Sequence, residues 1–151
     1  MSVTHIRPAT VKDLNTLISI ETACFAAGDA FSRRQLRYIL TRAQGIVFIA
    51  EYENVPAGYV SVLLRTQHLQ GRIYSIAVSP EQRGNGIAET LLDKALAFAQ
   101  ERRVHAVFLE VGIDNSKALS LYFKKGFEKR GIKPNYYCNG GNAYSMVLRL
   151  T

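Results

Sequence analysis

Two cysteines, three histidines and no long apolar run already exclude several classes of function for this 151-residue sequence. A membrane-spanning helix needs about 20 predominantly apolar residues in a row, and no run here approaches that length. The opening stretch MSVTHIRPATVKD has no charged start followed by an apolar core, so no signal peptide is expected. Cys24 and Cys138 show no CxxC or metal-ligand spacing, and His5, His68 and His105 lie far apart. The expectation is free thiols in a reducing cytoplasm, with no bound metal and no disulfide framework. Repeats, low-complexity tracts and linkers are absent as well.

What is there fits one globular domain over residues 1–151. The net charge of +7 favours anionic ligands in general. The basic residues are nevertheless scattered, apart from pairs at Arg33/Arg34, Arg102/Arg103 and Lys124/Lys125. Scattered charge is the mark of a solvated surface, so neither direct nucleic-acid binding nor membrane binding is expected.

Periodicity supplies the elements. HIRPAT reads as a short strand stopped at Pro8. Val11, Leu14, Leu17, Ile18 and Phe25 recur with a helical period behind a Thr10 cap, and Cys24 falls within that helix as a core residue. Ser32 caps a second short helix. GIVFIAEYE and YVSVLLRTQ read as a hairpin joined by NVPAG, and GRIYSIAVS as a third strand of the series. From Gly86 to Arg102 one face carries Ile87, Leu91, Leu92, Ala95, Phe98 and Ala99, an amphipathic helix. AVFLEV reads as a buried strand, NSKALSLYFKK as a helix closed at Gly126, and FEKRGIK and AYSMVLRL as a final strand pair. The order β-α-α-β-β-β-α-β-α-β-β predicts an α/β fold with a mixed, mostly antiparallel sheet flanked by helices.

The chemistry concentrates in two segments. In SPEQRGNGIAETLL a strand ends, Arg83, Gly84, Asn85 and Gly86 form a turn, and a helix starts at Ile87 and Ala88. A helix start presents unpaired N–H groups and the positive end of the helix dipole. Glycines let a phosphate approach such a backbone closely, although two glycines also make an ordinary tight turn. The pattern is neither a P-loop nor GxGxxG. Downstream, Glu110 interrupts the apolar strand AVFLEV. It is either a satisfied surface carboxylate or a general base with access to water. Asn115 and Tyr122 stand two helical turns apart on one face. Their alternatives are a helix N-cap and a core aromatic.

Together, IAVSPEQRGNGIAETLL and LEVGIDNSKALSLYFKKGFEKRG resemble the two signatures of the GCN5-related N-acetyltransferases. Within that family the LEV, DNSKAL, LYFKKGFE and NYYCNGGNAYSMVL segments are most similar to the bacterial ribosomal-protein alanine N-acetyltransferase branch. The resemblance implies a single N-acetyltransferase domain that uses acetyl-CoA as acetyl donor. It places Ile76, Ala77 and Val78 along the pantetheine arm, with small Ser75 and Ala77 permitting close approach. It sets the amides from Arg83 through Gly84, Asn85, Gly86 and Ile87 to Ala88 on the pyrophosphate, and Asn115 on the pantetheine. Glu81 and Gln82 depart from the family's usual aromatic or basic residues there. Glu110 is implied as the base, Val78 N–H as donor to the carbonyl oxygen, and Tyr122 as proton donor to the departing thiolate. Phe31, Tyr136 and Tyr137 are the expected walls of the acceptor site. The acceptor is a primary amine, either the N-terminal α-amine of a protein or peptide or a small-molecule amine. A non-catalytic acyl-CoA-binding sensor remains the alternative from another class.

Overall fold

The computed structural model describes residues 4–42 and 44–150; residues 1–3, 43 and 151, within the expected 1–151 domain, lie outside the described residues. The chain runs through β1 (Thr4–Pro8), α1 (Leu14–Cys24), α2 (Arg33–Thr41), β2 (Gly45–Tyr52), β3 (Val55–Arg65), β4 (Gln70–Val78), α3 (Ile87–Glu101), β5 (Ala106–Gly112), α4 (Ser116–Lys124), β6 (Glu128–Lys133) and β7 (Ala143–Arg149). The element order is the one the sequence predicts. No helix among the described residues is long and apolar enough to cross a membrane.

Capping chemistry sets the helix starts. Thr10 and Asp13 form a reciprocal box in which the Thr10 N–H donates to the Asp13 carboxylate at 2.8 Å. The turn inside this box, Val11–Asp13, is a 3-10 turn, so α1 starts at Leu14 rather than directly behind Thr10. Ser32 and Gln35 repeat the box at α2. The first hairpin differs from expectation. Its turn is Glu53–Asn54, both at positive φ as a two-residue hairpin turn requires. β3 therefore begins at Val55, and a register shift between Ala50 and Glu51 accommodates Pro56 inside the strand pair.

The strands join one sheet in the order β1-β2-β3-β4-β5-β7-β6. All neighbours are antiparallel except β4 and β5. Period-two alternation sends β2 side chains to opposite layers. Val47 and Ile49 pack with Leu17, Leu36 and Tyr59 under α1 and α2. Phe48 and Ala50 join Leu91, Leu92, Phe98 and Leu109 in the larger layer under α3.

One irregularity creates the site. A register shift at Tyr74 breaks the β3–β4 ladder between the Ser61–Ser75 and Val62–Ile73 pairs. β4 then pairs with β5 only over Gln70–Arg72 against Ala106–Phe108. Beyond that point the two strands part, and the sheet opens.

Candidate active site

At the end of β4 the chain makes a short helical turn, Pro80–Gln82, and reaches two glycines in left-handed conformation, Gly84 at φ 88° and Gly86 at φ 74°. A Cβ at either position would meet nothing within 4 Å, so open space lies against this backbone. α3 follows at once, and the N–H groups of Ile87, Ala88 and Glu89 precede its first hydrogen bond, Thr90 N–H to Gly86 C=O at 3.1 Å. The turn is thus a concave surface of free donors at the positive end of a 15-residue helix. Arg83 folds back, its Nε donating to the Val78 carbonyl at 3.0 Å. Asn85 turns its amide to the Gln82 carbonyl at 3.0 Å, so its side chain braces the turn.

The Val78 carbonyl also accepts from the Cys24 thiol at 3.3 Å. Both of its partners lie off β3, whereas the next residue, Ser79, donates to β3 at Ala57. N–H and C=O of one strand residue face the same side. The Val78 N–H therefore points into the opening between β4 and β5. Cys24 is not a core residue as the sequence predicts: it is half-buried on the wall of this opening. Burial holds its thiol above the usual range despite the hydrogen bond from Arg83.

The opening is a cavity of about 850 Å³. Ile76, Ala77, Val78, Arg83, Gly84, Gly86, Ile87, Ala88, Asn115, Glu110, Tyr122, Phe31, Tyr136 and Tyr137 all line it; Asn85 does not. Asn115 is also the N-cap of α4, accepting the Ala118 N–H at 3.3 Å. Tyr122 is a core aromatic that stands at the edge of the cavity. It is 5 % exposed, packs on Phe127 with ring centres 5.7 Å apart, and still borders the cavity. Burial, with a smaller effect of Tyr137, pushes its phenol well above the ordinary tyrosine range, so it keeps its proton at neutral pH.

Glu110 is neither solvated nor alone. Its side chain is 5 % exposed. The Arg72 guanidinium holds Oε1, and Lys133 Nζ holds Oε2 at 3.0 Å. The two cations come from β4 and β6, on either side of the opening, so both oxygens of the carboxylate are paired in a confined place.

Over the mouth, two loops meet. Asp29 accepts from the Cys138 N–H at 2.9 Å, and Gly28 lies so close to Cys138 that a Cβ there would stand 2.9 Å from the Cys138 Cβ. Tyr136 and Tyr137 pack edge to face at 5.0 Å, and Phe31 stands 6.3 Å from Tyr74. The Phe31 N–H donates to Glu21 at 2.8 Å. Glu21 is 1 % exposed and also accepts from the hydroxyls of Tyr59 and Ser75, the latter at 3.0 Å. Burial first, and the Glu21 charge second, push the Tyr59 phenol far up. This network ties the mouth loop to the strand irregularity. Ser75 and Ala77 are small, but both face the α1 side, where Ser75 serves Glu21 and Ala77 packs in the α1–α2 layer.

Sequence reasoning missed Glu21, Tyr59, Arg72 and Lys133. Glu21 carried a signal of the same kind as Glu110: it continues the apolar row Leu14, Leu17, Ile18 as a carboxylate.

Residues 14–127 match the family described as Acetyltransferase (GNAT) family. N-alpha-acetyltransferase 30 of Saccharomyces cerevisiae is 29% identical over 96% of this chain and 88% of that protein. N-alpha-acetyltransferase RimI of Mycobacterium tuberculosis is 40% identical over 58% of this chain and 54% of that protein. The match to an uncharacterized Mycobacterium leprae protein spans only 25% of that protein. Among solved structures, the ribosomal-protein-S18-alanine N-acetyltransferase of Escherichia coli shares the fold at TM-score 0.88, with 23% identity over 99% of this chain and 95% of that one. A chain of the NatC complex, solved with Gag peptide and CoA bound, is 26% identical at TM-score 0.86 over 98% of this chain and 99% of that one.

Proposed function

Since the chain belongs to the acetyltransferase (GNAT) family, we propose that it moves an acetyl group from acetyl-CoA to the N-terminal α-amine of a protein or peptide, as one domain over residues 1–151 and in the cytoplasm. One observation carries the reading: the parting of β4 and β5 brings the glycine cradle, the inward Val78 N–H, Glu110 and proton-bearing Tyr122 into one cavity.

The residues present fit acetyl-CoA. Open space beside Gly84 and Gly86 and the free backbone donors of Ile87 and Ala88 suit a pyrophosphate, with Arg83 beside them. Ile76, Ala77 and Val78 lie along the opened strand edge, and Asn115 borders it, where a pantetheine arm would run. Acetyl-CoA supplies an acetyl group already activated as a thioester. The chain's own residues do the rest. Val78 N–H, which faces the opening, holds the developing oxyanion. Glu110 takes the proton of the acceptor amine through water. Tyr122 gives its proton to the departing sulfur. No covalent enzyme intermediate is needed, and the two cysteines take no part in the transfer.

Proton cost favours an α-amine. Neutralising one of pKa near 7.8 at pH 7 costs about 1 kcal/mol, against about 4.6 kcal/mol for a lysine near 10.4. Phe31, Tyr136 and Tyr137 enclose the first residues of the acceptor. The names of the relatives, two of them N-alpha-acetyltransferases, support the same class. The test is thiol release from acetyl-CoA with three acceptors: a peptide with a free N-terminus, the same peptide blocked there but carrying lysine, and a small polyamine. Turnover is expected on the first alone. Turnover on the polyamine alone points to a small-molecule enzyme, and acetyl-CoA binding without any turnover points to a sensor.

A further inference from the structure

We propose that the open sheet face beside the active site is a docking groove for an acidic segment of the peptide acceptor, a few residues downstream of the acetylated amine. The proposal rests on the N-acetyltransferase reading above and names a feature of its substrate.

A second cavity, of about 520 Å³, lies against β4, β5, β6 and β7, and no helix residue lines it. Its charged walls are Arg65, Arg72, Arg130 and Lys133, opposed by Glu110 alone. The sequence separates these cations by up to 68 positions; strand pairing gathers them, so what reads as scattered charge becomes a basic patch. Glu110 engages Arg72 and Lys133. Arg65 and Arg130 have no carboxylate partner among the described residues; Arg130 rests on the Phe108 ring at 5.0 Å. Arg72 Nε is buried with no hydrogen-bond partner among the described residues.

The groove is continuous with the acceptor mouth. Tyr74 and Glu110 line both cavities. Tyr74 lies beneath Phe31 on the mouth side and beside the Arg72 guanidinium, 5.1 Å away, on the groove side. A peptide whose amine reaches Glu110 must leave past these residues. Each extended residue spans about 3.3–3.6 Å, so acidic side chains a few positions downstream come over Arg65 and Arg130. The recess holds a side chain-bearing strand segment, and exposed Ile132 on its rim offers an apolar contact. A nucleic acid is the rival polyanion, but the groove is continuous with the mouth that takes the acceptor amine, which favours the peptide.

The experiment uses peptides with identical first three residues followed by five acidic, five neutral or five basic residues. Thiol release is followed with the whole protein at low and high salt. An exposed guanidinium–carboxylate pair is worth up to about fivefold, so several give about tenfold or more in kcat/KM for the acidic over the neutral peptide. The gain should lie in KM and shrink at high salt, where the Debye length falls to about 3 Å at 1 M. Arg65→Ala and Arg130→Ala together should erase the ranking while leaving the rate on the bare three-residue peptide and the melting temperature unchanged; Arg→Lys at both sites should restore it. Turnover on all three peptides with no charge ranking overturns the inference alone. A ranking that survives the double Ala variant, or RNA binding to the groove without any peptide ranking, overturns it too. Absence of turnover on every peptide removes the acetyltransferase reading and this inference with it.

Discussion

Replacing Glu110 by Gln tests the centre of the site. The substitution keeps the shape but turns one carboxylate oxygen into an amide donor facing Arg72 or Lys133, one of them 3.0 Å away. Removing one partner of a fully buried ion pair costs about 3–5 kcal/mol. Here the carboxylate is buried, but the Arg72 and Lys133 side chains are 30 % and 44 % exposed, so water takes over part of their solvation. The stability loss should therefore be smaller, about 1–2 kcal/mol by the same bookkeeping. The catalytic loss should be larger. General-base catalysis is worth about 10²–10⁴-fold, so turnover at pH 7 should fall at least about 100-fold, or about 2.7 kcal/mol. Above about pH 8 the α-amine of the acceptor is already neutral, and the defect should shrink. The assay is thiol release from pH 6 to pH 10, with melting measured on the same samples. A variant with reduced turnover but the wild-type pH profile would show that Glu110 only holds Arg72 and Lys133 in place, and the base assignment would fall.

Tyr122→Phe should cut turnover about 10²-fold, within the general-acid range, and leave acetyl-CoA affinity unchanged; a wild-type rate on a good peptide acceptor refutes the proton-donor role. Because burial raises the Tyr122 phenol, turnover in the wild type should show no downturn at the ordinary tyrosine value of 10, and a loss there would contradict the burial argument. Gly86→Val places a β-branched residue at φ 74°, a left-handed conformation that costs an L-residue about 1–2 kcal/mol, and fills the cradle; the protein should fold yet lose CoA binding in calorimetry. Asp13→Asn keeps an oxygen for the Thr10 N–H but breaks the two-bond ion pair with Arg7, costing up to about 1 kcal/mol. The hydrogen bond from Arg7 holds the Asp13 carboxyl below its usual 3.8. Its contribution is thus present above pH 3.8 and lost as pH falls through the lowered value, so denaturation of variant and wild type should converge in acid.

Much of this was legible because local chemistry decides it. Gly86 before an apolar-periodic run announces a strand–turn–helix, and Glu110 in an apolar strand announces a carboxylate that needs partners, which Arg72 and Lys133 supply. Asn115 was readable as a cap for the same local reason. What was not legible depends on pairing between distant segments. Nothing near Glu110 in the sequence names Arg72 or Lys133, since β4 and β6 reach it only through sheet order. The hairpin turn was misplaced because Pro56 looks like a loop residue, and only the register shift opposite it explains how a residue without an N–H sits in β3. Cys24 was misread because the helical period gives a face but not the end of α1, which stops at the cleft. Glu21 needed only that the rule applied to strands be applied to a helix.

The short parallel contact between β4 and β5 has a bearing on how the molecule comes apart. Three register pairs are all that ladder bonding supplies across that seam; elsewhere β1–β4 and β5–β7 are each knit by long antiparallel pairings. The sheet is two halves whose cohesion leans on the apolar layer under α3 and α4. A substrate lying in the gap acts as mortar between them. At a concentration 100 times its dissociation constant, such a ligand adds about 2.7 kcal/mol to stability, and the gain appears as slower opening of the seam, in amides of both halves at once.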